Sequence, residues 1–197
     1  MLEVRGPTLT LRYATEADTD VLHALADAEA TRWFSWGPYT DRAQPLAYIA
    51  GLAAKRDAGE LLDFLTVHAE HGPVGVTGLS EYARRDRRAT VGTWFARPHW
   101  GTGVNAESKA LVARLAFDHL GLNRLTAWAN TRNGRSQTAL ERLGFRREGV
   151  LRAYNLHAGG AHDVVAFGLL ADDFAATPLA RIRAEVTGAA PGIWYAS

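Results

Sequence analysis

The 197-residue sequence predicts an α/β (α+β) fold in which helices pack on a mixed sheet, and three observations support this class. Apolar residues recur at helical spacing in the N-terminal part of the chain. From Leu62 onward the pattern changes to short β-rich runs that are separated by turn residues. Further along, a strand leads into a glycine loop and then into a helix. The length allows one compact domain with its own core.

Strands and helices follow one another in a definite order. Alternating threonine and apolar residues predict a first strand, and a capping box at Thr15 opens a first helix toward Ala30. Asp41 begins a second helix that ends near Gly59. Three consecutive runs then predict an antiparallel meander. The predicted strands are 8–13, 62–68, 73–79, 89–95, 125–129, 145–151 and 163–170, and the later helices are 106–120 and 133–143.

Composition and charge narrow the possible functions. The chain carries 22 basic and 21 acidic side chains, a net charge of +1, so no polyanionic partner is implied. It has no cysteine, which excludes a disulfide framework, a thiolate zinc site and a cysteine nucleophile. No apolar run approaches the ~20 residues of a membrane helix, and the N-terminus lacks a signal-peptide core. We therefore expect a cytoplasmic protein with no membrane partner.

Histidine pairs and an arginine run suggest two further kinds of site. His68 and His71 flank one turn, and His157 and His162 flank another, but no H-E-x-x-H motif is present, so no metal is predicted. The basic run at 84–88 can touch RNA or can simply keep a hairpin tip solvated. The second interpretation is favoured, and we expect no nucleic-acid partner.

The sequence divides into one domain at 1–171 and a C-terminal extension at 172–197. The extension carries more apolar surface than a loose terminus needs, and we expect it to pack on the domain or at the interface of a homodimer. An aromatic cluster between the first two helices can either line a pocket or seal the core. Its members are Trp33, Phe34, Trp36 and Tyr39.

A glycine loop joins the strand at 89–95 to the helix that follows it. Backbone N–H groups at the start of a helix have no partner within the helix, and glycines at 101 and 103 allow an anion to approach them. Gly101, Gly103 and Ala106 also satisfy the dinucleotide motif G-x-G-x-x-A. That motif requires an acidic residue about 20 positions later, and no Asp or Glu occurs between 121 and 136. A phosphate site is therefore favoured over a Rossmann domain.

A second motif follows the next strand. Asn133 is a natural N-cap, and Ser136 falls in the first turn of the helix that it opens. The helix ends in a run that reads L-G-F-x-x-E-G through Gly149. Together with the glycine loop, this combination resembles the GNAT superfamily. W-G-T-G-V-N at Trp100–Asn105, the N-x-x-S motif and the E-G-V-L-R run resemble, more narrowly, the ribosomal-protein N-terminal acetyltransferase branch.

The resemblance implies a fold and a cofactor. It implies the GNAT acyl-CoA fold, a mixed central sheet of about seven strands that is mostly antiparallel, with a splayed parallel pair in the middle and helices on both faces. Acetyl-CoA would bind in the gap between strands 89–95 and 125–129. Backbone groups near Phe95 and Arg97 would hold pantetheine, with Asn133 beside it. The pyrophosphate would lie on the amides of Trp100, Gly101, Thr102, Gly103, Val104 and Asn105. Pro98 departs from the family pattern, in which Gln or Arg is frequent.

The resemblance also assigns catalytic roles. Backbone N–H of Phe95 would stabilise the oxyanion, and the hydroxyl of Ser136 would protonate the departing thiolate. Asp63 matches a carboxylate position of the ribosomal-protein branch and is one candidate for the general base. Glu81, at the end of the next strand, is the other. Either carboxylate can instead be a solvated strand cap.

Two function classes follow. The first is an acetyl-CoA-dependent N-acetyltransferase that acts directly, in a ternary complex, on a primary amine, either a protein N-terminus or a small molecule. The alternative is a non-catalytic acyl-CoA-binding sensor or interaction module of the same fold. Retention of Asn133, Ser136 and both loop glycines favours the enzyme.

Overall fold

A single mixed sheet forms the centre of the structure, a computed structural model that describes residues 1–196. The strand order is β7-β8-β6-β5-β4-β3-β2-β1-β9, and every neighbouring pair is antiparallel except β5 and β6. The strands are β1 (Glu3–Arg5), β2 (Leu9–Arg12), β3 (Leu61–His68), β4 (Gly72–Ala83), β5 (Arg88–Phe95), β6 (Arg124–Asn130), β7 (Arg146–His157), β8 (Gly160–Leu170) and β9 (Glu185–Thr187).

The expected sheet of about seven strands is too small, because the sheet has nine. The two additional strands, β1 and β9, contain three residues each and pair with one another in antiparallel register. A three-residue strand is too short to show a period of two, which is why the sequence pattern did not reveal them. The mostly antiparallel arrangement and the central parallel pair are confirmed.

The helices lie on both faces of the sheet, as predicted. They are α1 (Thr19–Leu25), α2 (Ala28–Thr31), α3 (Ala43–Asp57), α4 (Val104–Arg114), α5 (Gly134–Arg142) and α6 (Ala171–Phe174). The predicted first helix is divided in two, because Ala26 leaves helical geometry and Asp27 starts α2 as an N-cap that accepts from two backbone N–H groups. Helix α4 continues as a π-helical turn over Leu115–His119.

Each face of the sheet covers its own hydrophobic cluster. On one face, Leu22 of α1 and Ile49 of α3 pack on Leu65 and Val76. On the other face, the apolar side of α4 packs on inward residues of β2 to β6, and α5 adds Leu140. Side chains alternate along β5, so neighbouring residues of this strand point to opposite faces of the sheet.

The C-terminal extension lies against the sheet through a buried tryptophan. Trp194 is fully buried, its ring stacks on Tyr82 with 5.0 Å between centroids, and its Nε1 donates to the carbonyl of Arg56 at 2.8 Å. Strand β9 in the same segment pairs with β1. The extension thus contributes a buried side chain to the core and a strand to the edge of the sheet.

Residues 1–196 contain neither a membrane-spanning helix nor a cluster of metal-ligating side chains. None of the helices in this range is long and apolar enough to cross a membrane. In the same range, His, Asp and Glu side chains form no group of three or more that is placed to hold a metal ion. The paired histidines stack on each other instead, with ring centroids 4.6 Å apart for His68 and His71 and 3.8 Å apart for His157 and His162.

Candidate active site

The parallel strands β5 and β6 pair at one end only. Their register is Arg88 with Arg124, Ala89 with Leu125 and Thr90 with Thr126, and beyond Thr90 the two strands separate. Their outer edges stay paired, β5 with β4 as far as Phe95 and β6 with β8 as far as Asn130. The separation therefore opens a gap inside an otherwise continuous sheet.

Phe95 lies at the open end of this gap. The N–H of the next residue, Ala96, donates to the carbonyl of Val74 at 3.0 Å, on the side of β4. Backbone directions alternate along a strand, so the N–H of Phe95 points the other way, into the gap. The Phe95 carbonyl accepts from the indole Nε1 of Trp100 at 2.8 Å. The backbone of Phe95 is thus fixed with its donor toward the gap.

The glycine loop forms an open cradle at the N-terminus of α4. Gly101 and Gly103 have φ values of +77° and +96°, which side-chain-bearing residues rarely adopt, and no atom lies within 4 Å of where a Cβ would stand. Gly103 is the N-cap of α4, and no side chain caps its first turn. The first N–H groups of α4 therefore face open space, a geometry that favours an anion.

The other residues predicted for the cradle lie in and beside it. Arg97 is exposed in the 3₁₀ turn Arg97–His99 that precedes the loop. Thr102 donates from Oγ1 to the His99 carbonyl at 2.8 Å, which shapes the loop. Val104 is buried at the start of α4, and Asn105 follows it with its side chain bonded to Lys109. The burial of Val104 and the hydrogen bond between Asn105 and Lys109 therefore hold the helix end of the cradle in place.

Trp100 connects the cradle to the second motif. The guanidinium of Arg135 lies 3.3 Å from the centroid of the Trp100 ring, a close cation–π contact. Arg135 is the second residue of α5, which Asn133 caps by accepting from the N–H of Ser136 at 3.2 Å. Sequence reasoning placed Trp100 and Asn133 at the site but did not predict the contact of Arg135 with Trp100, because no local pattern indicates a contact across this distance in the chain.

Ser136 is partly buried in the first turn of α5, directly after β6. Its backbone N–H donates to Asn133 Oδ1, whereas its hydroxyl makes no hydrogen bond with another group of residues 1–196. A hydroxyl with free donor and acceptor capacity at the end of the splayed strand can meet a ligand there.

A cleft of about 500 Å³ lies on the α1–α3 face of the sheet, beside the gap. Its floor includes Gly78 of β4 and Gly92 and Thr93 of β5, so it borders the strand that carries Phe95. Its walls are aromatic, and they are formed by Phe34, Trp36, Tyr39, Tyr48 and Trp94. All five also pack in the hydrophobic cluster of this face, so the aromatic loop both seals the core and lines a pocket.

Asp63 lies in this cleft. Its Oδ2 accepts from the hydroxyl of Tyr48 at 2.7 Å. Burial raises the pKa of Asp63 to about 6, against the opposing effects of Tyr48 and of Lys55 nearby. Gly78 makes room for the carboxylate, because a Cβ there would stand 2.0 Å from Oδ1. The result is a carboxylate of near-neutral pKa in a cleft that can admit a ligand.

Glu81 occupies a different environment. It sits at an irregularity in the pairing of β4 with β5, with φ of +50°, and its side chain is exposed. Its Oε2 accepts from Thr90 Oγ1 at 2.6 Å and from Trp128 Nε1 at 3.2 Å, one group from each strand of the splayed pair. Glu81 does not line the aromatic cleft. The two carboxylate candidates are therefore not equivalent.

Lys109 is a buried lysine that sequence reasoning missed. It is 7% exposed, and its Nζ donates to Thr93 Oγ1 and to Asn105 Oδ1, the latter at 2.7 Å. No carboxylate of residues 1–196 forms a salt bridge with it. Burial lowers the pKa of Lys109 to about 7. The available signal was a lysine directly beside the predicted apolar stripe of its helix.

Comparison with known proteins agrees with this geometry. The family model described as "Acetyltransferase (GNAT) domain" matches residues 8–146. The uncharacterized N-acetyltransferase p20 of Bacillus licheniformis is 32% identical over 169 residues, which cover 85% of this chain and 95% of p20. YdaF of Bacillus subtilis, provisionally named a ribosomal N-acetyltransferase, is 32% identical over 96 residues, 49% of this chain and 52% of YdaF.

A solved structure shares the fold. The microcin C7 self-immunity acetyltransferase MccE, solved in complex with acetyl-CoA and AMP, matches with a TM-score of 0.78 at 17% identity, covering 83% of this chain and 93% of MccE. The fold and the family match define the class of protein as an N-acetyltransferase. The chain belongs to the GNAT acetyltransferase family.

Proposed function

We propose that this acetyltransferase takes its acetyl group from acetyl-CoA and transfers it directly to a primary amine in a ternary complex. The observation that carries the proposal is the gap between β5 and β6, which lies between an open glycine cradle and a cleft that contains a carboxylate of raised pKa. MccE, of the same fold, was solved with acetyl-CoA. The likeness to YdaF supports a protein N-terminus as acceptor, and a small amine fits the same cleft.

The cradle suits the diphosphate of CoA. The open space above Gly101 and Gly103 admits a phosphate group, and the N–H groups from Gly101 to Asn105 provide donors at the positive end of α4. The N–H of Trp100, which was predicted to join them, donates instead to the carbonyl of Arg97 at 3.1 Å. Backbone groups near Phe95 and Arg97 would hold the pantetheine arm, with Asn133 beside it. When bound, acetyl-CoA supplies the thioester carbonyl and the thiolate leaving group.

Three groups divide the chemistry. The neutral amine attacks the thioester carbon, and Asp63 accepts the proton that the nitrogen loses as the carbon–nitrogen bond forms. The Phe95 N–H donates to the carbonyl oxygen as negative charge develops on it. As the carbon–sulfur bond breaks, Ser136 donates its hydroxyl proton to the sulfur. The acetamide and free CoA are the products, and the proton taken up by Asp63 returns through solvent to Ser136.

The test is thiol release from acetyl-CoA with a panel of peptides and small amines. We expect release above background with wild type, a loss of about 10²-fold or more in Ser136→Ala, and no release in Gly103→Glu, whose side chain would fill the cradle. Gly159→Glu is the matched control, because Gly159 also has positive φ, +77°, and open space but lies in the β7–β8 turn.

The control separates loss of the cofactor from loss of the fold. Gly159→Glu should release thiol at the wild-type rate. If no amine gives release although acetyl-CoA raises the melting temperature of wild type and not of Gly103→Glu, the protein is the non-catalytic sensor instead. If acetyl-CoA binds to neither protein, the proposal is wrong.

A further inference from the structure

The aromatic walls of the acceptor cleft form one packed group. Trp36 is its centre, with ring centroids 5.4 Å from Phe34 and 5.5 Å from both Tyr39 and Trp94. These rings come from the loop after α2 and from β5, and Tyr48 of α3 completes the walls. Packed aromatic rings form a rigid apolar surface that binds aromatic and branched groups and attracts a cation over a ring face.

The charge in the cleft is small. Among the described residues that line it, Asp63 is the single carboxylate and Lys55 is a second charge of opposite sign. One carboxylate can pair with one ammonium group. A polyamine or an aminoglycoside would bring further ammonium groups close to Lys55, with no second carboxylate in the cleft to pair with them, which disfavours such ligands.

A second cleft extends the apolar surface toward the β7–β8 hairpin. It encloses about 340 Å³ and shares Phe34 and Trp36 with the acceptor cleft. Its far side is formed by Tyr154 and Leu156, which are 44% and 73% exposed. Large exposed apolar side chains beside a cleft are typical of a binding surface. An acceptor held by Asp63 can therefore extend its apolar part along this surface.

Resting on the proposed function, we propose that the acceptor is a monoamine joined to an aromatic or bulky apolar body. An arylalkylamine and a peptide with an aromatic N-terminal residue share this chemistry. The combined volume of the two clefts is in the range of small-molecule sites and accommodates either source.

Matched acceptors test this inference. The thiol-release rate is compared for phenethylamine, propylamine, spermidine and kanamycin, and for two tripeptides that differ only in Phe or Ser at the N-terminus. We expect kcat/KM to be at least tenfold higher for phenethylamine than for propylamine, spermidine or kanamycin. Which of phenethylamine and the Phe peptide has the higher kcat/KM identifies the source of the acceptor.

Substitutions connect the preference to the walls. Trp36→Ala should lower kcat/KM about tenfold or more for phenethylamine but less than threefold for propylamine, and Trp36→Phe should retain most of the preference. Because Trp36 also packs on the core, Leu156→Ser provides a second variant at an exposed position. It should lower kcat/KM more for the longer Phe peptide than for phenethylamine.

A binding measurement keeps this inference separate from the proposed function. Quenching of tryptophan fluorescence by each amine is followed with CoA present, where no transfer can occur. Tighter binding of phenethylamine than of spermidine supports the inference even if no amine is acetylated, in which case the proposed function alone fails. Faster turnover or tighter binding of spermidine or kanamycin overturns the inference and leaves the transferase intact.

A different observation, the buried Lys109, carries a second inference. An amine without a carboxylate partner destabilises a core, and a methionine has nearly the same shape without the charge. The two oxygens that hold Lys109 belong to different elements: Thr93 lies in β5, whose residues 92–94 border the acceptor cleft, and its hydroxyl faces α4, whereas Asn105 lies in the first turn of α4 beside the glycine cradle.

We infer that Lys109 is a positioning residue that fixes the start of α4 against β5, so that the cradle and the acceptor cleft keep their relative places. Its ammonium also places positive charge behind the proposed diphosphate site. Both effects act on a bound acetyl-CoA rather than on the stability of the free protein. This inference does not depend on which amine is the acceptor.

Lys109→Met and Lys109→Gln test the role. We expect Lys109→Met to bind acetyl-CoA about tenfold more weakly by calorimetry while its melting temperature stays equal or rises. Lys109→Gln keeps a hydrogen-bond donor without the charge, so its affinity for acetyl-CoA should lie between those of wild type and Lys109→Met. A role in packing alone predicts unchanged affinity in Lys109→Met. Wild-type affinity and turnover in both variants would therefore contradict the inference.

Discussion

At the scale of single residues, Asp63 and Glu81 illustrate how environment decides the use of a carboxylate. Asp63 lies in the aromatic cleft with its pKa raised by burial, whereas Glu81 is exposed and bridges side chains of the two splayed strands. A base near neutral pKa is efficient in proton transfer at physiological pH. These differences favour Asp63 as the general base.

The choice predicts a pH profile. Since Asp63 must be ionised to accept a proton, kcat/KM should show, in addition to the limb set by ionisation of the acceptor amine, an acid limb with an apparent pKa of about 6. Asp63→Asn should lower kcat by about 10² to 10⁴-fold and remove this limb. Glu81→Gln is the control and should keep both the rate, within a few-fold, and the limb. Loss of the limb in Glu81→Gln alone would transfer the role to Glu81.

Lys109 predicts a stability effect in a different pH window. Its pKa in the folded protein is about 7, below the ordinary value of 10.5, so the unfolded chain binds more protons between these two pH values. The free energy of unfolding should therefore rise with pH across this window, by up to a few kcal/mol. Urea unfolding at pH 7 and pH 9 measures the rise, which Lys109→Met should reduce. Equal rises in both proteins would contradict the buried amine.

At the scale of elements, the pairing of β3 with β4 determines where the carboxylate of Asp63 can lie. Asp63 is directly opposite Gly78, and a Cβ at that position would collide with Oδ1 and with the carbonyl of Leu62. Gly92, the partner of Gly78 on β5, has open space where its Cβ would stand. Two facing glycines therefore have different roles.

Substitution of each glycine by alanine checks this difference. Gly78→Ala should displace Asp63 and lower kcat about tenfold or more while acetyl-CoA affinity stays unchanged. Gly92→Ala places its methyl group on the floor of the cleft without meeting a protein atom, so we expect it to act on the KM of the acceptor and to change kcat by less than threefold. Circular dichroism verifies that both variants fold. Equal activity of the two variants would show that the position of Asp63 does not matter.

The same scale explains what the sequence could predict. The cradle and the N-x-x-S turn are local, since a strand, two glycines and a capped helix follow one another along the chain, and their predicted places agree with the structure. The contacts of Tyr48 with Asp63 and of Arg135 with Trp100 join different elements, and no spacing indicates them. Lys109 was not predicted because one of its partners, Thr93, lies in β5 and the other, Asn105, lies one turn earlier in the same helix.

At the scale of the whole molecule, the C-terminal segment supports the sheet from outside the region of the family motif. Trp194 fills a site between Tyr82 of β4 and the end of α3, and the backbone N–H of Ala196 donates to the Leu120 carbonyl at 2.9 Å. These contacts connect the segment to three distant parts of the chain. The segment therefore contributes to folding.

Removal of the tryptophan side chain measures this contribution. Trp194→Ala should lower the free energy of unfolding by about 3–5 kcal/mol, as for other large aromatic side chains in cores. Ile193→Ala, at a position 40% exposed in the same segment, should lower it by about 1 kcal/mol or less. Chemical denaturation of both variants supplies the comparison. A small effect at Trp194 would mean that the segment is dispensable for the fold.

The most direct test of the central claim is a crystal structure of the protein with acetyl-CoA. The account predicts that the thioester lies in the gap between β5 and β6, with its carbonyl oxygen about 2.7–3.1 Å from the N–H nitrogen of Phe95 and the diphosphate on the N–H groups of residues 101–105. The acetyl group should point toward the cleft of Asp63. Acetyl-CoA bound outside the gap, or with its acetyl group away from that cleft, would contradict the account.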